Sequence, residues 1–446
     1  MASLKKQAIR ATAWSFVGQF AGQFMRFGSN LILTRLLAPE YFGLMALATT
    51  FSTGLNLFSD IGIGPSIIQN KRGDDPDFIN TAWTLQVIRG FGLWLASLLI
   101  TWPVATFYNE PQLLWLIPII SLNAVINGFQ STAQFTLNRH LAQGKLTRFN
   151  LGIATIRNLV IIVWAWLNQT IWAIVGGSLV SSLINTLCSH RLFPKIANRF
   201  TWEKTAAKEI FSFGKWIFVS TAMVFLAMQA DKLILGKLFT LETLGVYNVA
   251  LIFAGLPSQM FGQIGSRVIF PVVSKFKDLP REELRTKILK PRWLLLVAIA
   301  LGVAVLVSFG DFLILTLYDE RYNDAAWMLP ILSLGLWPAL LAQTITKSLT
   351  AIGKPIYVAW GNFLKCIYMV ILLRLGFSLM GPLGAVIVIA FNDLPLYGAI
   401  NYGLWKEELT GIVQDIQATL LLIGLITILV SSRYFLGFGL PIDRVL

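Results

Sequence analysis

The chain has 446 residues, of which 56% are hydrophobic and only 13% are charged, and its formal net charge is +14. Soluble domains carry charge on about a quarter of their residues, so this composition excludes a soluble globular protein and indicates a polytopic membrane protein. The two cysteines lie far apart inside apolar segments and the two histidines lie beside arginines, a pattern that favours neither a disulfide framework nor a metal site.

Apolar segments of membrane-spanning length recur along the whole chain, and we count thirteen. With a cytoplasmic N-terminus, the cytoplasmic segments hold more than twenty Lys and Arg residues and the opposite side holds four, counting Arg35 and Lys237 at the outer ends of their spans. Loops rich in Lys and Arg stay in the cytoplasm, so the asymmetry predicts this orientation and explains most of the positive charge without nucleic acid. The predicted spans are 13–36, 41–67, 82–107, 113–137, 149–167, 170–189, 213–238, 243–272, 293–317, 326–350, 356–376, 381–404 and 416–436.

The segment 14–48 recurs without a gap at 216–250. The copies are six spans apart, an even number, so both halves have the same orientation and are related by an axis along the membrane normal. The sequence therefore predicts an all-α polytopic membrane protein with two parallel-repeat six-helix bundles around a central cavity, plus one extra C-terminal span. The aligned pairs include Trp14 and Trp216, Leu33 and Leu235, Glu40 and Glu242, and Gly43 and Gly245.

The repeat also predicts the domain boundaries. We expect an N-terminal lobe over residues 1–190, a basic cytoplasmic linker over 191–212, a C-terminal lobe over 213–405, and an additional transmembrane helix with a tail over 406–446. The linker contains TWEKTAAKEI, which predicts an amphipathic helix lying on the anionic lipids of the inner leaflet.

The first span carries a polar stripe made of Gln19, Gln23, Arg26 and Asn30. Their spacing of i, i+4, i+7 and i+11 places all four within about 60° of one helix face. A charged group at the bilayer centre costs at least about 2.5–3.5 kcal/mol, so this face is predicted to line a watery cavity. A polar seam that holds neighbouring helices together is the alternative.

Further polar residues lie in the other spans of the first half. Arg89 in the third span and Arg157 in the fifth have no acidic residue beside them in sequence. The fourth span repeats the spacing of the first, which predicts a second polar stripe. Its members are Asn123, Asn127, Gln130 and Gln134.

The second half offers fewer candidates. Asn362 and Lys365 lie near the middle of the eleventh span and are predicted to contribute an amide and a cation to the cavity. Asp231 in the seventh span and Asp393 in the twelfth are candidates for ion coupling. The Pro395 that follows predicts a kinked helix with a polar notch. The apolar ninth span is predicted to face lipid, and the thirteenth reads as a peripheral addition.

The motifs that would indicate an enzyme are missing from the sequence. No Gly-Lys-Ser/Thr occurs, so a phosphate-binding loop for ATP is excluded. A membrane-bound glycan polymerase or ligase needs a sizeable outer loop, whereas the longest here, near 318–324, has about seven residues. We predict a transporter with no catalytic residues, metal or cofactor. A cavity of cations and amides suits a ligand that combines hydroxyls with an acidic group, such as a glycan on a lipid diphosphate.

Three segments carry a family resemblance. LILTRLLAPEYFGLMALA and FSDIGIGPSIIQ in the first half and ADKLILGKLFTLETLGVYNVA in the second resemble polysaccharide and O-antigen flippases of the multidrug/oligosaccharidyl-lipid/polysaccharide exporter superfamily. The resemblance covers most of residues 1–405, with its most specific motifs at 30–48 and 230–250. Such relatives have twelve or fourteen spans, so a count of thirteen is a departure.

The resemblance implies a function and its partners. It implies movement of an undecaprenyl-diphosphate-linked oligosaccharide from the inner to the outer leaflet of a bacterial plasma membrane, with a polysaccharide polymerase and glycosyltransferases as candidate partners. The alternative within the superfamily is a cation-coupled antiporter of the multidrug type. That function predicts a cavity dominated by acidic and aromatic residues, whereas the deep charges here are mainly basic.

Overall fold

The computed structural model describes residues 2–193, 196–259 and 279–443, and within this part of the chain every regular element is helical. The last part of the predicted eighth span lies outside the described residues. Glu320–Tyr322 forms a 3-10 turn. The α-helices are α1 Ala2–Leu36, α2 Pro39–Phe58, α3 Ile63–Gln69, α4 Pro76–Tyr108, α5 Leu113–Gly128, α6 Ala133–Arg139, α7 Gln143–Leu167, α8 Trp172–Leu192, α9 Lys204–Leu238, α10 Leu241–Ala254, α11 Arg281–Leu317, α12 Ala325–Ala351, α13 Ile356–Ala390, α14 Leu394–Lys406 and α15 Ile412–Phe435.

These helices overlap all thirteen predicted spans, but several spans are interrupted. Among the described residues, seven helices are long and apolar enough to cross a membrane, or eight if one bent pair counts as a single span. The chain divides into two compact units, residues 1–225 and 226–446, which meet within α9. The lobe boundaries predicted from the sequence stay a prediction.

The second span breaks between α2 and α3. Gly62 lies in the left-handed region with φ 67°, a conformation that glycine adopts without steric cost. Its N–H donates to Oδ1 of Asp60 at 2.9 Å, which holds the turn in place. The FSDIGIG motif therefore contains a helix break.

The fourth span is bent, and this corrects the polar stripe predicted for it. Helices α5 and α6 meet at 61°. The side-chain Nε2 of Gln86 on α4 donates to the carbonyls of Asn127, Gly128 and Gln130 at 3.0–3.1 Å. A helix end leaves four carbonyls without intrahelical partners, and Gln86 satisfies those of the break. The prediction of one continuous face along this span was wrong because the helix does not continue through it.

The twelfth span is kinked, as Pro395 predicted. The chain leaves helical geometry at Gly381, with φ 59° and ψ −142°, just before Pro382. A second break at 391–393 separates α13 from α14, and Asp393 is the residue that precedes α14. The polar notch therefore lies where the helical hydrogen bonding is interrupted.

The ninth span, α11, forms the centre of unit 2. Its apolar side packs on α12 and α15 in one buried cluster that includes Leu296, Val303, Leu340 and Leu422. The prediction that this span faces lipid stays a prediction for its opposite side, where Leu294 is 75% exposed. Lipid tails are as apolar as leucine, so hydropathy does not distinguish a lipid-facing helix from one surrounded by other helices.

Two buried ion pairs hold α15 against α11. Arg292 contacts Oδ1 of Asp415 at 2.6 Å, and Tyr397 donates its hydroxyl to Oδ2 of the same carboxylate at 2.8 Å. Arg433 contacts Asp311 at 2.6 Å. Asp415 and Arg433 lie near opposite ends of α15. The arginine belongs to α11 in the first pair and to α15 in the second. The thirteenth span is thus fixed to α11 by ion pairs, while most of its residues remain outside the buried core, as a peripheral helix would have them.

The predicted amphipathic linker helix is also corrected. Residues of the TWEKTAAKEI segment begin α9, and Ala206, Ala207 and Ile210 are buried in a cluster with Ile67 and Phe78 of unit 1. An apolar face that is already covered by protein does not lie on lipid.

Arg72, in the loop before α4, holds the same segment in place through ion pairs. Its guanidinium contacts Glu203 and Asp75 at 2.6 Å each. The hydrogen bonds from Arg72 hold the pKa of the Glu203 and Asp75 carboxyls below their usual range. The backbone N–H groups of Thr201 and Glu203 donate to Thr84 and Thr81 on α4, which extends the attachment.

We expect the buried ion pair at the end of α15 to be essential for the stability of unit 2. Arg433→Met leaves the Asp311 carboxylate buried without its partner, a change that typically costs about 3–5 kcal/mol. Thermal unfolding of the purified, detergent-solubilised protein measures it. Lys287→Ala, which removes an exposed i,i+4 pair on α11, is the matched control and costs about 0.3–0.5 kcal/mol. Equal melting temperatures for the two variants would refute the assignment.

The attachment through Arg72 is expected to weaken in acid. A carboxyl group with a lowered pKa in the folded state stabilises that state fully when the pH is above its pKa in the unfolded chain, about 4. This stabilisation is lost as the pH falls through the lower pKa of the folded state. Hydrogen exchange of the amides at 199–203, corrected for its intrinsic pH dependence, should therefore accelerate below about pH 4. In Arg72→Gln the same amides should already exchange fast at pH 7. Unchanged protection in that variant would contradict the role of Arg72.

Candidate functional site

Helices α1 and α7 of unit 1 lie side by side and run in the same direction. Oγ1 of Thr147 donates to the carbonyl of Trp14 at 3.3 Å, and Nδ2 of Asn158 donates to the carbonyl of Met25 at 3.2 Å. Both pairs have the same sequence separation, so the two helices stay in one register along this length. This register sets which residues of the polar stripe on α1 face α7.

Arg26 and Arg157 are neighbours in this register. Each lies ten residues from the C-terminal end of its helix, which is about 15 Å, or half the thickness of a hydrocarbon core. They are close enough for their positive charges to repel one another. Arg26 is exposed and donates to the side-chain carbonyl of Gln23, whereas Arg157 is half-buried. In the part of the chain that the structure describes, neither forms an ion pair with a carboxylate.

The rest of the α1 stripe is positioned as predicted. Helix α1 is continuous from Ala2 to Leu36, so the i, i+4, i+7, i+11 spacing does place the four residues on one face. Gln19, Gln23 and Asn30 are half-buried. Their binding role stays a prediction.

Arg89 occupies a different environment from the other two arginines. Its Nε donates to the carbonyl and the hydroxyl of Ser59 at 2.9 and 3.0 Å, and its Nη2 donates to the carbonyl of Asn56 at 2.7 Å. These acceptors lie at the C-terminal end of α2, where carbonyls have no intrahelical partner and the helix dipole is negative. The geometry matches the polar seam that sequence analysis left as the alternative to a cavity.

The amides predicted for the fourth span are not brought together. Oδ1 of Asn123 accepts from Ser182 at 2.6 Å and its Nδ2 donates to Ser178 at 3.2 Å, so this side chain joins α5 to α8. Asn127 is exposed at the end of α5, and Gln130 lies in the bend. Gln134 lies beyond the bend on α6, where its buried Nε2 has no hydrogen-bond acceptor among the described residues.

Lys365 in unit 2 is neutralised by a carboxylate. Its Nζ contacts Oδ1 of Asp393 at 2.7 Å, and the two side chains are 13% and 15% exposed. Asn362, one helical turn earlier on α13, is half-buried. The pair joins α13 to the break before α14, so the polar notch and the predicted cation are one feature.

Asp231, the second candidate for ion coupling, is buried on α9. Its Oδ2 accepts a hydrogen bond from the hydroxyl of Tyr247 at 2.7 Å. Sequence reasoning did not single out Tyr247 or the buried Arg292, Asp311 and Arg433. Charged residues within or beside predicted apolar spans could have indicated these pairs. The sequence does not show which residues are partners, because the partners lie sixteen to more than one hundred residues apart.

Comparison with known families and proteins gives consistent matches. The family model described as "Polysaccharide biosynthesis protein" matches residues 32–327. The succinoglycan biosynthesis transport protein ExoT of Rhizobium meliloti is 21% identical over 81% of this chain and 73% of its own length. The lipopolysaccharide biosynthesis protein WzxC of Escherichia coli is 24% identical over 79% of this chain and 70% of its own length.

Solved structures show the same fold. The lipid II flippase MurJ in its inward closed conformation superposes with a TM-score of 0.69 at 16% identity, covering 94% of this chain and 92% of its own. An inward-facing multidrug resistance MATE transporter gives 0.61 at 14% identity, covering 86% and 94%. The chain therefore has the two-repeat helical bundle fold of these transporters.

A double-mutant cycle tests the Lys365–Asp393 pair. Lys365→Met and Asp393→Leu each leave a poorly solvated charge without its partner, so each single variant should be less stable than the double variant. The measurement is thermal unfolding of the purified protein. Lys354→Met, which removes a half-exposed cation paired with Glu407, controls for loss of a lysine. Additive effects at 365 and 393 would show that the two charges do not interact.

Proposed function

Because the chain belongs to the polysaccharide biosynthesis protein family, a family of transporters rather than hydrolases or ATPases, we propose that it is a lipid-linked oligosaccharide flippase. Its substrate is an undecaprenyl-diphosphate-linked oligosaccharide, which it moves from the cytoplasmic to the outer leaflet by alternating access. The protein is a multi-pass membrane protein. The proposal places it in the bacterial inner membrane with a cytoplasmic N-terminus.

One observation carries the proposal. Arg26 and Arg157 lie on the adjacent parallel helices α1 and α7, each ten residues from the C-terminal end of its helix, and neither has a carboxylate partner among the described residues. Two like charges in a membrane are costly unless an anion compensates them. A diphosphate supplies two adjacent anionic groups, and guanidinium groups bind phosphate oxygens through strong, charge-assisted hydrogen bonds.

The amides on the same face of α1 suit the sugar portion. Gln19, Gln23 and Asn30 each carry both a donor and an acceptor, which is what sugar hydroxyls require. The exposed Asn127 and the unsatisfied Nε2 of Gln134 are further candidates in unit 1. Amides bind hydroxyls without demanding one sugar sequence.

Other residues from the sequence prediction enter the proposal with changed roles. Arg89, Asn123 and Gln130 lie at helix junctions, so their contribution is to hold the shape of unit 1. Lys365 would reach an anionic ligand only after its pair with Asp393 opens, and Asn362 stays a candidate amide beside it. Asp393 and Asp231 stay the candidates for ion coupling, and among the described residues they accept hydrogen bonds from Lys365 and Tyr247.

The likeness to MATE transporters keeps a second function in view, a cation-coupled antiporter for small molecules. Arg26 and Arg157 argue against an antiporter, since their positive charges would repel a cationic drug.

A lipid-linked oligosaccharide flippase would also work beside partner enzymes. Glycosyltransferases make its substrate, and a polysaccharide polymerase uses its product.

The test is replacement of both arginines in cells that need this protein for surface polysaccharide. Arg26→Ala with Arg157→Ala should lower polymer output by about tenfold or more, because each lost charge-assisted hydrogen bond is worth about 1.5–3 kcal/mol. The lipid-linked precursor should accumulate in the cytoplasmic leaflet. Arg26→Lys with Arg157→Lys keeps the charge and should retain part of the output.

Arg35→Ala, at the end of the same helix, is the matched control and should leave polymer output near normal. Normal output from a normally inserted double alanine variant would remove the two arginines from the mechanism. If the double variant instead exported a cationic dye faster than the wild type, the antiporter function would be favoured.

A further inference from the structure

A second basic feature of unit 1 lies far from the arginine pair. A cavity of about 400 Å³ lies where the beginning of α7 meets α1. Its wall includes Arg10, Trp14, His140, Gly144, Lys145 and Arg148. Arg10 precedes Arg26 by sixteen residues on one continuous helix, which is about 24 Å. The cavity is therefore at the level of lipid headgroups when Arg26 is at mid-depth.

Three cations of the cavity are available to a ligand. Arg10, Lys145 and Arg148 are exposed, and no carboxylate forms an ion pair with them among the residues that the structure describes. His140 in the cavity wall contacts the carboxylate of Asp74 at 2.9 Å, and the same carboxylate contacts Arg139 at 2.9 Å. Asp74 is therefore occupied by these two side chains. The site therefore has an excess of positive charge.

The beginning of α7 adds to this positive potential. Its N-cap residue, Ala142, has no side chain that accepts a hydrogen bond from the first turn. The free N–H groups of a helix start and the positive end of its dipole attract anions. Gly144 in this first turn carries no side chain, and Trp14 packs directly over it, since a Cβ there would lie 2.9 Å from the indole nitrogen.

The walls of the cavity are apolar as well as basic. Trp14 lies under the Arg148 guanidinium at 5.8 Å, and Ala11 and Leu141 complete the apolar part. Tryptophan is enriched at the interface between lipid and water because its ring is amphipathic. A free inorganic anion would use only the cations, whereas the headgroup region of a lipid would use both kinds of wall.

We propose that this cavity binds the phosphate of a membrane lipid through Arg10, Lys145 and Arg148, with Trp14 packed against the adjoining apolar part. Two lipids carry this chemistry, the bulk anionic phospholipid and the diphosphate of a polyprenyl carrier. The second source rests on the proposed function, whereas the phosphate site does not. With a carrier bound, the cavity is a first contact on the same helix pair as Arg26 and Arg157.

Native mass spectrometry of the purified full chain in detergent tests the proposal. The probes are phosphatidylglycerol, undecaprenyl diphosphate and a neutral galactolipid that has acyl chains but no phosphate. We expect the wild type to bind one or both phosphate-bearing lipids more tightly than the galactolipid. Replacing Arg10, Lys145 and Arg148 by Gln should weaken that binding by about ten- to a hundredfold, since each interfacial cation contributes about 1 kcal/mol.

Two further variants separate the cavity from general charge. Arg191→Gln, Lys204→Gln and Lys208→Gln together remove three exposed cations of the same unit outside the cavity, and binding should persist. Ala142→Phe fills the cavity without changing any charge, and binding should fall. Unchanged lipid binding in the triple cavity variant, or an equal loss in the triple control, would overturn the proposal. So would full binding by the filled Ala142→Phe protein.

The two lipid sources give different results. Similar affinities for phosphatidylglycerol and undecaprenyl diphosphate support a site for any phosphate-bearing lipid, and a clear preference for the diphosphate supports the carrier. Binding is measured without transport, so a failure here is separate from a failure of the flippase assay on Arg26 and Arg157. If the cavity binds lipid but the Arg26 and Arg157 variants still support normal polymer output, the lipid site is supported and the proposed role of the two arginines in transport is refuted.

Discussion

The cost of placing charge inside a bilayer is the constraint on which the rest of this structure depends. Unit 2 meets it with internal counter-ions: Arg292 with Asp415, Arg433 with Asp311, and Lys365 with Asp393. Arg26 and Arg157 in unit 1 lie on the adjacent helices α1 and α7, and neither forms an ion pair with a carboxylate in the part of the chain that the structure describes. An uncompensated pair of guanidinium groups at mid-depth is unfavourable by itself. It becomes reasonable when the missing counter-ion is the ligand.

The parallel register of α1 and α7 gives that pair its geometry. The contacts from Thr147 to Trp14 and from Asn158 to Met25 keep the helices aligned over three helical turns. The same alignment brings Trp14 over Gly144 at one end. The basic cavity and the arginine pair are therefore two features of one helix pair, separated by about 24 Å along α1. Under the proposed function, a lipid diphosphate would meet the cavity at headgroup level and the arginine pair at mid-depth.

Interruptions of the helices are placed where polar groups are needed. Gln86 satisfies the open carbonyls at the bend between α5 and α6, and Arg89 does the same at the end of α2. In unit 2 the break before α14 places Asp393 within reach of Lys365. Backbone that leaves helical geometry at membrane depth is tolerated only where its polar groups find partners. Several polar residues of this chain thus serve the fold, and fewer are available for a substrate.

Composition, periodicity and the internal repeat were enough to determine a two-repeat helical membrane protein, the continuous polar face of α1 and the kink before Pro395. These features are local or depend on sums over many residues, so they can be read without knowing which helices touch. Tertiary structure alone decided that Lys365 pairs with Asp393, that Asn123 joins α5 to α8, and that one side of the apolar α11 is buried against α12 and α15. The physical reason is that lipid and protein interiors are equally apolar. Only a distant partner therefore reveals whether a buried polar residue stabilises the fold or remains available to a ligand.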